Sequence, residues 1–254
     1  MNFVEVLGDR LEIKRISRGN EQNPTLVFLH HGLGCVELWR DYPDRLAALT
    51  DCQVLIYSRL GHGKSGPTTW PKPISYLEDQ GKIHLPALLE KLEIDDAILI
   101  GHSEGATISL VCAGVTESGI RGVIALAPHL YTETKNTDAI REMKKDFQET
   151  KLRQQLARYH GDNVDCCFYG WSETWLQPGF EDWSIEHHIP GIKCPVLAIL
   201  GTEDPYGTMI HLDKLKRQSN CELTVETPKT GHAAHEELPE EMLKLMSSFI
   251  NSLL

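Results

Sequence analysis

The 254-residue sequence predicts an α/β protein: a mostly parallel central sheet with helices on both faces and an inserted helical cap. Three observations carry this. Short apolar runs alternate with helix-compatible stretches through the first half of the chain. That alternation stops at Pro128 and resumes at Val196. Between two of the runs, Gly101-His102-Ser103-Glu104-Gly105 joins a strand-like segment directly to a helix-like one. Short buried strands separated by helices imply parallel pairing with both sheet faces covered.

Phe3–Val6 and Leu11–Ile16 read as two strands around a Gly8-Asp9 hairpin turn. Thr25–Leu29 is a short buried strand that enters His30-His31-Gly32-Leu33-Gly34, and a helix is expected around Leu38–Leu49. Gln53–Tyr57 is the next strand, ending in Arg59-Leu60-Gly61-His62-Gly63-Lys64-Ser65-Gly66. Leu85, Leu88, Leu89 and Leu92 recur at helical spacing, with Pro86 acceptable near a helix start. Ala97–Ile100 is a strand, Ala106–Val115 a helix and Gly122–Leu126 a strand. From about 130 to 190 the sequence is helical, charged and without a convincing strand. Val196–Leu200, a helix around Met209–Arg217, Leu223–Val225 and a helix over Glu240–Leu253 complete the rhythm. Residues 1–129 and 191–254 are therefore the expected core, and 130–190 the cap above the sheet's carboxyl edge. Trp171, Trp175 and Trp183 crowd its second half, as a small cap core or as substrate contacts. The stretch from Tyr131 to His160 carries 7 basic and 5 acidic residues, a solvated helix face or, less simply, a site for an anionic substrate.

Composition narrows the function classes. Twenty-five basic against 36 acidic residues give a net charge of −11, which disfavours binding to nucleic acid or an anionic membrane surface. The first residues lack a basic segment followed by an apolar one, and no apolar run approaches the ~20 residues that span a bilayer. Seven scattered cysteines do not read as a disulfide framework, so a reduced cytoplasmic setting is expected. His30-His31 and His187-His188 are adjacent pairs whose members face apart in regular structure, and no metal-binding spacing occurs. No metal and no cofactor are expected. Gly61-x-Gly63-Lys64-Ser65 lacks the glycine that a phosphate loop needs five residues before Gly63; Ser58 stands there.

The chemistry centres on Ser103. A serine on a sharp strand-to-helix turn is held out of the sheet, and glycines two residues to either side let backbones pass. The following helix directs free N–H groups and a positive dipole end at charge developing there. The plainer alternative is a βα turn whose serine only caps the helix. A serine nucleophile needs a base and an orienting acid, in chain order Ser, acid, His. Asp204 follows the strand Val196–Leu200 and His232 follows the last strand. Glu203 is the competing carboxylate, and His235 is expected to brace the loop through Glu236 or Glu237. The oxyanion donors are the backbone N–H groups of Glu104 and Leu33. His31, Trp171 and Trp175 are the expected substrate contacts. Cys35, nearby, has no paired base and reads as packing.

Together, His31-Gly32-Leu33-Gly34, Arg59-Leu60-Gly61-His62-Gly63-Lys64-Ser65, Gly101-His102-Ser103-Glu104-Gly105, Gly201-Thr202-Glu203-Asp204 and Gly231-His232-x-x-His235 resemble the α/β-hydrolase superfamily over nearly the whole chain. The resemblance implies Ser103 as nucleophile, Asp204 as acid, His232 as base, and Leu33 and Glu104 as oxyanion donors. It also implies a lidded, cofactor-free enzyme similar to carboxylesterases and hydrolases of aromatic ring-cleavage products. Serine at position 103 argues against the epoxide hydrolases and haloalkane dehalogenases, which carry aspartate. The expected activity is hydrolysis of a small carboxylic ester through an acyl-enzyme. C–C bond hydrolysis of a dienoic ring-cleavage product, thioester hydrolysis, and slow-turnover ligand sensing on the same fold are the alternatives.

Overall fold

In the computed structural model, which describes residues 2–254 and leaves Met1 outside, the strands are β1 (Asn2–Val6), β2 (Asp9–Ile16), β3 (Thr25–Leu29), β4 (Val54–Ser58), β5 (Ala97–His102), β6 (Ile120–Leu126), β7 (Val196–Ile199) and β8 (Leu223–Glu226). They form one sheet in the order β1-β2-β4-β3-β5-β6-β7-β8. β1 and β2 pair antiparallel with each other, as do β2 and β4; every other pairing is parallel. After β3 the chain moves outward to β4, then returns to place β5 on the other side. The carboxyl ends of β3 and β5, in register at Leu29 and Gly101, therefore flank the crevice where open α/β sheets bind ligands.

The helices are α1 (Tyr42–Thr50), α2 (Tyr76–Asp79), α3 (Leu85–Lys91), α4 (Glu104–Val115), α5 (Thr134–Glu149), α6 (Leu152–His160), α7 (Val164–Leu176), α8 (Ile210–Gln218), α9 (Ala234–Glu237) and α10 (Pro239–Asn251). Alternation along the strands sorts the core into two layers. Leu26, Phe28, Ile98, Ile100, Ile124 and Leu197 face one layer with α1 and α10. Val27, Leu29, Leu99, Val123 and Ala198 face the other, with α3, α4 and α8. Helix α4 is buried from Glu104 to Ala113, which matches its lack of a polar stripe.

Several boundaries differ from those the sequence suggests. The hairpin turns at Leu7-Gly8, both at positive φ (54° and 88°), and Asp9 already pairs with Val6. The helix expected over Leu38–Leu49 is a 3₁₀ turn, Val36–Trp39, a break at Arg40 (φ 52°), and then α1. The helix around Leu85 begins at Tyr76, and a π-helical turn over Gln80–His84 links α2 to α3. A proline inside a helix lacks an N–H and crowds the carbonyl four residues back. The widened turn sits just ahead of Pro86, at the start of α3.

Between β6 and β7, helices α5, α6 and α7 pack on one another. A single antiparallel bridge, Tyr131 with Ser184, ties the ends of this segment, supported by Ile185 N–H to the Leu130 carbonyl at 2.8 Å. Phe147 and Phe168 stack inside it, and Trp175, Phe180 and Trp183 meet with ring centroids 4.8–5.4 Å apart.

Candidate active site

Ser103 is the single residue between β5 and α4, held at φ 56°, ψ −116°. A non-glycine residue there is strained, and such strain gathers at functional positions. The flanking glycines are sterically required. A Cβ on Gly105 would stand 2.0 Å from the Leu29 carbonyl oxygen, and one on Gly101 2.2 Å from the Gly105 carbonyl oxygen. The Ser103 hydroxyl makes no capping bond to α4, so the helix-cap alternative is not what the side chain does.

His232 Nδ1 donates to Asp204 Oδ2 at 2.8 Å. The second oxygen, Asp204 Oδ1, accepts the N–H groups of Tyr206 (2.7 Å) and Gly207 (3.3 Å). With its proton at Nδ1, a neutral His232 carries its lone pair at Nε2. His102 Nε2 donates to the His232 carbonyl at 2.9 Å, which joins the elbow to the His232 loop. Glu203 points away: its side chain is 60% exposed and lies 3.7 Å from Lys229. His235 does not bond Glu236 or Glu237. It packs among Trp39, Tyr42 and His102 with its Nδ1 unpartnered, and Glu237 braces the loop by accepting the Gly231 N–H.

The loop after β3 holds the other backbone donor. Leu33 N–H points at His31 Nδ1, 3.3 Å away, a long bond that a charged oxygen would outcompete. His31 thus braces this loop as well as lining the cavity. The indole of Trp171 lies over Gly32, 2.4 Å from where a Cβ would stand. His160, from α6, accepts Gly63 N–H at Nδ1 (2.9 Å) and donates from Nε2 to the Leu33 carbonyl (3.1 Å). The Gly61–Ser65 stretch is thereby a structural turn under the loop, with His62 Nε2 bonded to the Gly32 carbonyl.

Glu104 carries more than a backbone N–H. Its carboxylate is buried, ion-paired to Arg59 at 2.7 Å, and accepts hydrogen bonds from the Tyr76 hydroxyl and from Trp175 Nε1 at 2.8 Å. Arg59 also donates to the His30 and His31 carbonyls. Trp175 is therefore both cap core and a direct tie to the elbow. Sequence reasoning missed Arg59 and Tyr76 in this role, although Arg59 opens the motif after β4. It also missed Lys135 of α5, whose ammonium binds the Asp204 and Gly207 carbonyls. Trp175→Phe keeps a benzene ring but removes the donor with the pyrrole part of the indole. It should cost at least about 1.5–3 kcal/mol, the worth of a hydrogen bond to a buried charge, with the vacated volume adding to it, read as a lower urea midpoint at unchanged slope. An unshifted midpoint would show that the indole N–H holds nothing.

Ser103, His232, Leu33, Glu104, His31, Trp171 and Trp175 all line one cavity of about 240 Å³. No lysine or arginine is among its described lining residues. Basic side chains of the cap are instead paired, Arg141 with Asp138, Lys144 with Glu173, Lys145 with Glu142 and Arg153 with Asp165. An anionic substrate would therefore meet no gathered cationic groups in this lining, and the 131–160 stretch is a solvated, ion-paired face. Cys35 lies outside this lining, and burial pushes its thiol up to about 11. Adjacent histidines do not face apart at 187 and 188, contrary to the expectation from regular structure. In a 3₁₀ turn the rings of His187 and His188 meet with centroids 3.9 Å apart and a 46° tilt, and both approach Glu78, at 3.4 and 2.8 Å, a carboxylate already paired with Lys82.

Histidines crowd the site, and burial holds them neutral: His31 is pushed down to about 3, His235 to about 4, and His30, His62, His102 and His129 are lowered in the same sense. In the unfolded chain such groups titrate near ~6.5. Between that value and their folded values the unfolded state binds more protons, so their contribution is complete above ~6.5 and is lost as pH falls below it. Asp204 acts in the same direction but at lower pH, its contribution being lost only below the ordinary carboxylate value of about 3.9. Burial opposes its charge, but the bonds from His232 and Tyr206 outweigh burial and lower it overall. The urea midpoint should therefore stay nearly level from pH 7.5 to about 6.5 and fall from there to pH 5. A flat midpoint over that range would contradict neutral burial of the cluster.

An eight-stranded, mostly parallel sheet with a strained serine at its switch point and an aspartate-bonded histidine in the same cavity defines the hydrolase class of α/β proteins. Residues 26–245 match the family described as the Alpha/beta hydrolase family, and the chain belongs to it. It is 25% identical to a proline iminopeptidase from Heyndrickxia coagulans over 99% of this chain and 98% of that protein. Among solved structures, the enol-lactonase from Burkholderia xenovorans LB400 superposes with a TM-score of 0.74 at 19% identity, covering 98% of this chain and 99% of that one. An esterase from Exiguobacterium antarcticum gives 0.77 at 16% identity, covering 98% of each. No helix among the described residues is long and apolar enough to cross a membrane.

Proposed function

We propose that the protein is a serine hydrolase that cleaves a small carboxylic ester through an acyl-enzyme, with residues 130–190 acting as its lid. The observation that carries this is the strained, uncapped Ser103 lining one cavity with a His232 whose Nδ1 is committed to Asp204. Ser103 Oγ attacks the carbonyl while His232 Nε2 takes its proton, and Asp204 stabilises the imidazolium that forms. The N–H groups of Glu104, at the start of α4, and Leu33 receive the developing oxyanion. The imidazolium then protonates the leaving alcohol, and water repeats the sequence on the acyl-enzyme. The cavity, small, mostly apolar and without a lysine or arginine among its described lining residues, suits a short ester that bears no negative charge. The names of the esterase and enol-lactonase neighbours agree with ester chemistry. The proline iminopeptidase relative favours a second reading, cleavage of an N-terminal proline amide by the same residues.

Two measurements test this. Intact mass after fluorophosphonate treatment should show one adduct, mapped to Ser103. Turnover of p-nitrophenyl acetate and butyrate should exceed that of proline p-nitroanilide. An adduct on Cys35 would overturn the nucleophile, and preference for the anilide would establish the peptidase reading.

A further inference from the structure

Two polar side chains of the cavity wall have no part in the acyl-transfer steps. Asn136 stands on the buried stripe of α5, the stripe that also carries Ile140 and Phe147, and is 3% exposed. An apolar residue there would pack without the desolvation an amide brings. His129 follows the end of β6, where Ala127 is held at φ 49°. Its backbone is bonded in both directions to the Thr107 hydroxyl, and its ring is wedged among Trp175, His211 and His232 at 5.3–6.0 Å. Both residues line the cavity that holds Ser103. Asn136 Oδ1 and His129 Nδ1 are buried and have no hydrogen-bond partner among the described residues. Nearly all buried polar groups in folded proteins are partnered. Of the ten buried side-chain atoms without a hydrogen-bond partner among the described residues, only these two belong to residues that line the reactive cavity, where a bound molecule can supply the partner.

The chemistry of that partner follows from the pair. The amide of Asn136 offers both a donor and an acceptor and bears no charge. Burial keeps His129 neutral, and its ring likewise offers one donor and one acceptor. A carboxylate or ammonium would find no opposite charge on either. Resting on the ester-hydrolase reading above, we propose that Asn136 and His129 form a polar subsite that selects esters carrying an uncharged hydroxyl or amide group away from the scissile bond.

The test compares matched substrates. On the acyl side the pairs are p-nitrophenyl 3-hydroxybutyrate with p-nitrophenyl butyrate, and p-nitrophenyl N-acetylglycinate with p-nitrophenyl pentanoate. On the alcohol side the pair is 2-hydroxyethyl butyrate with propyl butyrate, followed by titration of released acid. Because a site built to hydrogen-bond its substrate rejects the analogue lacking that group, at least one polar member should be preferred by about tenfold or more in kcat/KM. Asn136→Leu should bring that ratio to near unity, through loss on the polar member. A purely structural role would lower both members together and leave the ratio unmoved. His129→Phe, which keeps a flat ring in place, gives the same reading if Asn136→Leu fails to fold. Ratios near unity in every pair, with Ser103 labelled and butyrate turned over, would overturn the subsite and leave the ester-hydrolase reading standing. Absence of both labelling and ester turnover would overturn that reading, and the subsite with it.

Discussion

Ser103→Ala should abolish turnover while leaving the protein folded. Alanine keeps the Cβ, so the strained backbone at φ 56° is neither relieved nor worsened. The hydroxyl it removes makes no capping bond to α4, and the thermal midpoint should therefore stay close to that of the parent. What is lost is the oxygen that His232 Nε2 would deprotonate. Nucleophile knockouts in serine hydrolases lower kcat by about 10⁴–10⁶, the remainder coming from the oxyanion donors and from binding. Ester turnover by purified variant and parent, with midpoints measured side by side, gives the result. Activity within tenfold of the parent would remove Ser103 from the chemistry, and the elbow would then need another explanation for its strain.

The second large effect is expected at Asp204, through a proton on the wrong nitrogen. In Asp204→Asn the side-chain oxygen can keep the bonds that Oδ1 now receives from Tyr206 and Gly207. The amide nitrogen then faces His232 Nδ1 and donates to it. His232 must accept at Nδ1, so its own proton moves to Nε2, where it blocks removal of the Ser103 proton. A loss on the order of 10⁴ in kcat is the precedent for this substitution in a triad. Glu203→Gln should change kcat by less than about threefold, because that exposed side chain lies beside Lys229 and away from the site, where substitutions have small effects. Measured together, the pair assigns the acid. Collapse in Glu203→Gln with activity kept in Asp204→Asn would transfer the role to Glu203.

Much of this was legible in the chain. Thr25–Leu29 reads as β3 with identical bounds, and the strand–serine–helix junction at 101–105 is visible because its steric demand is local. A glycine must stand at each flank, and an apolar run must lead in and another lead out. Boundaries near special backbone were harder. Arg40 adopts positive φ without being glycine, and the π turn ahead of Pro86 hides a helix that starts nine residues before Leu85.

The residues that hold the site carried no such signal. Three cap side chains each secure a different loop: His160 bonds the Leu33 carbonyl, Lys135 the Asp204 carbonyl, and Trp175 the Glu104 carboxylate. These partners are 127, 69 and 71 positions apart in the chain. Hydrogen bonding to a backbone carbonyl asks nothing of the partner's side chain, so its sequence leaves no trace. The identity of Glu104 as half of a buried ion pair is equally invisible, since Arg59 reaches it only because β4 and β5 flank β3. Periodicity and contacts within a few residues fix the alternation of strands and helices, the elbow, and the chain order in which Ser103, Asp204 and His232 follow their strands. How the cap grips the site, and which polar groups of the cavity are left unpartnered among the described residues, emerge only from long-range packing. Those depend on distances between segments that no local rule constrains.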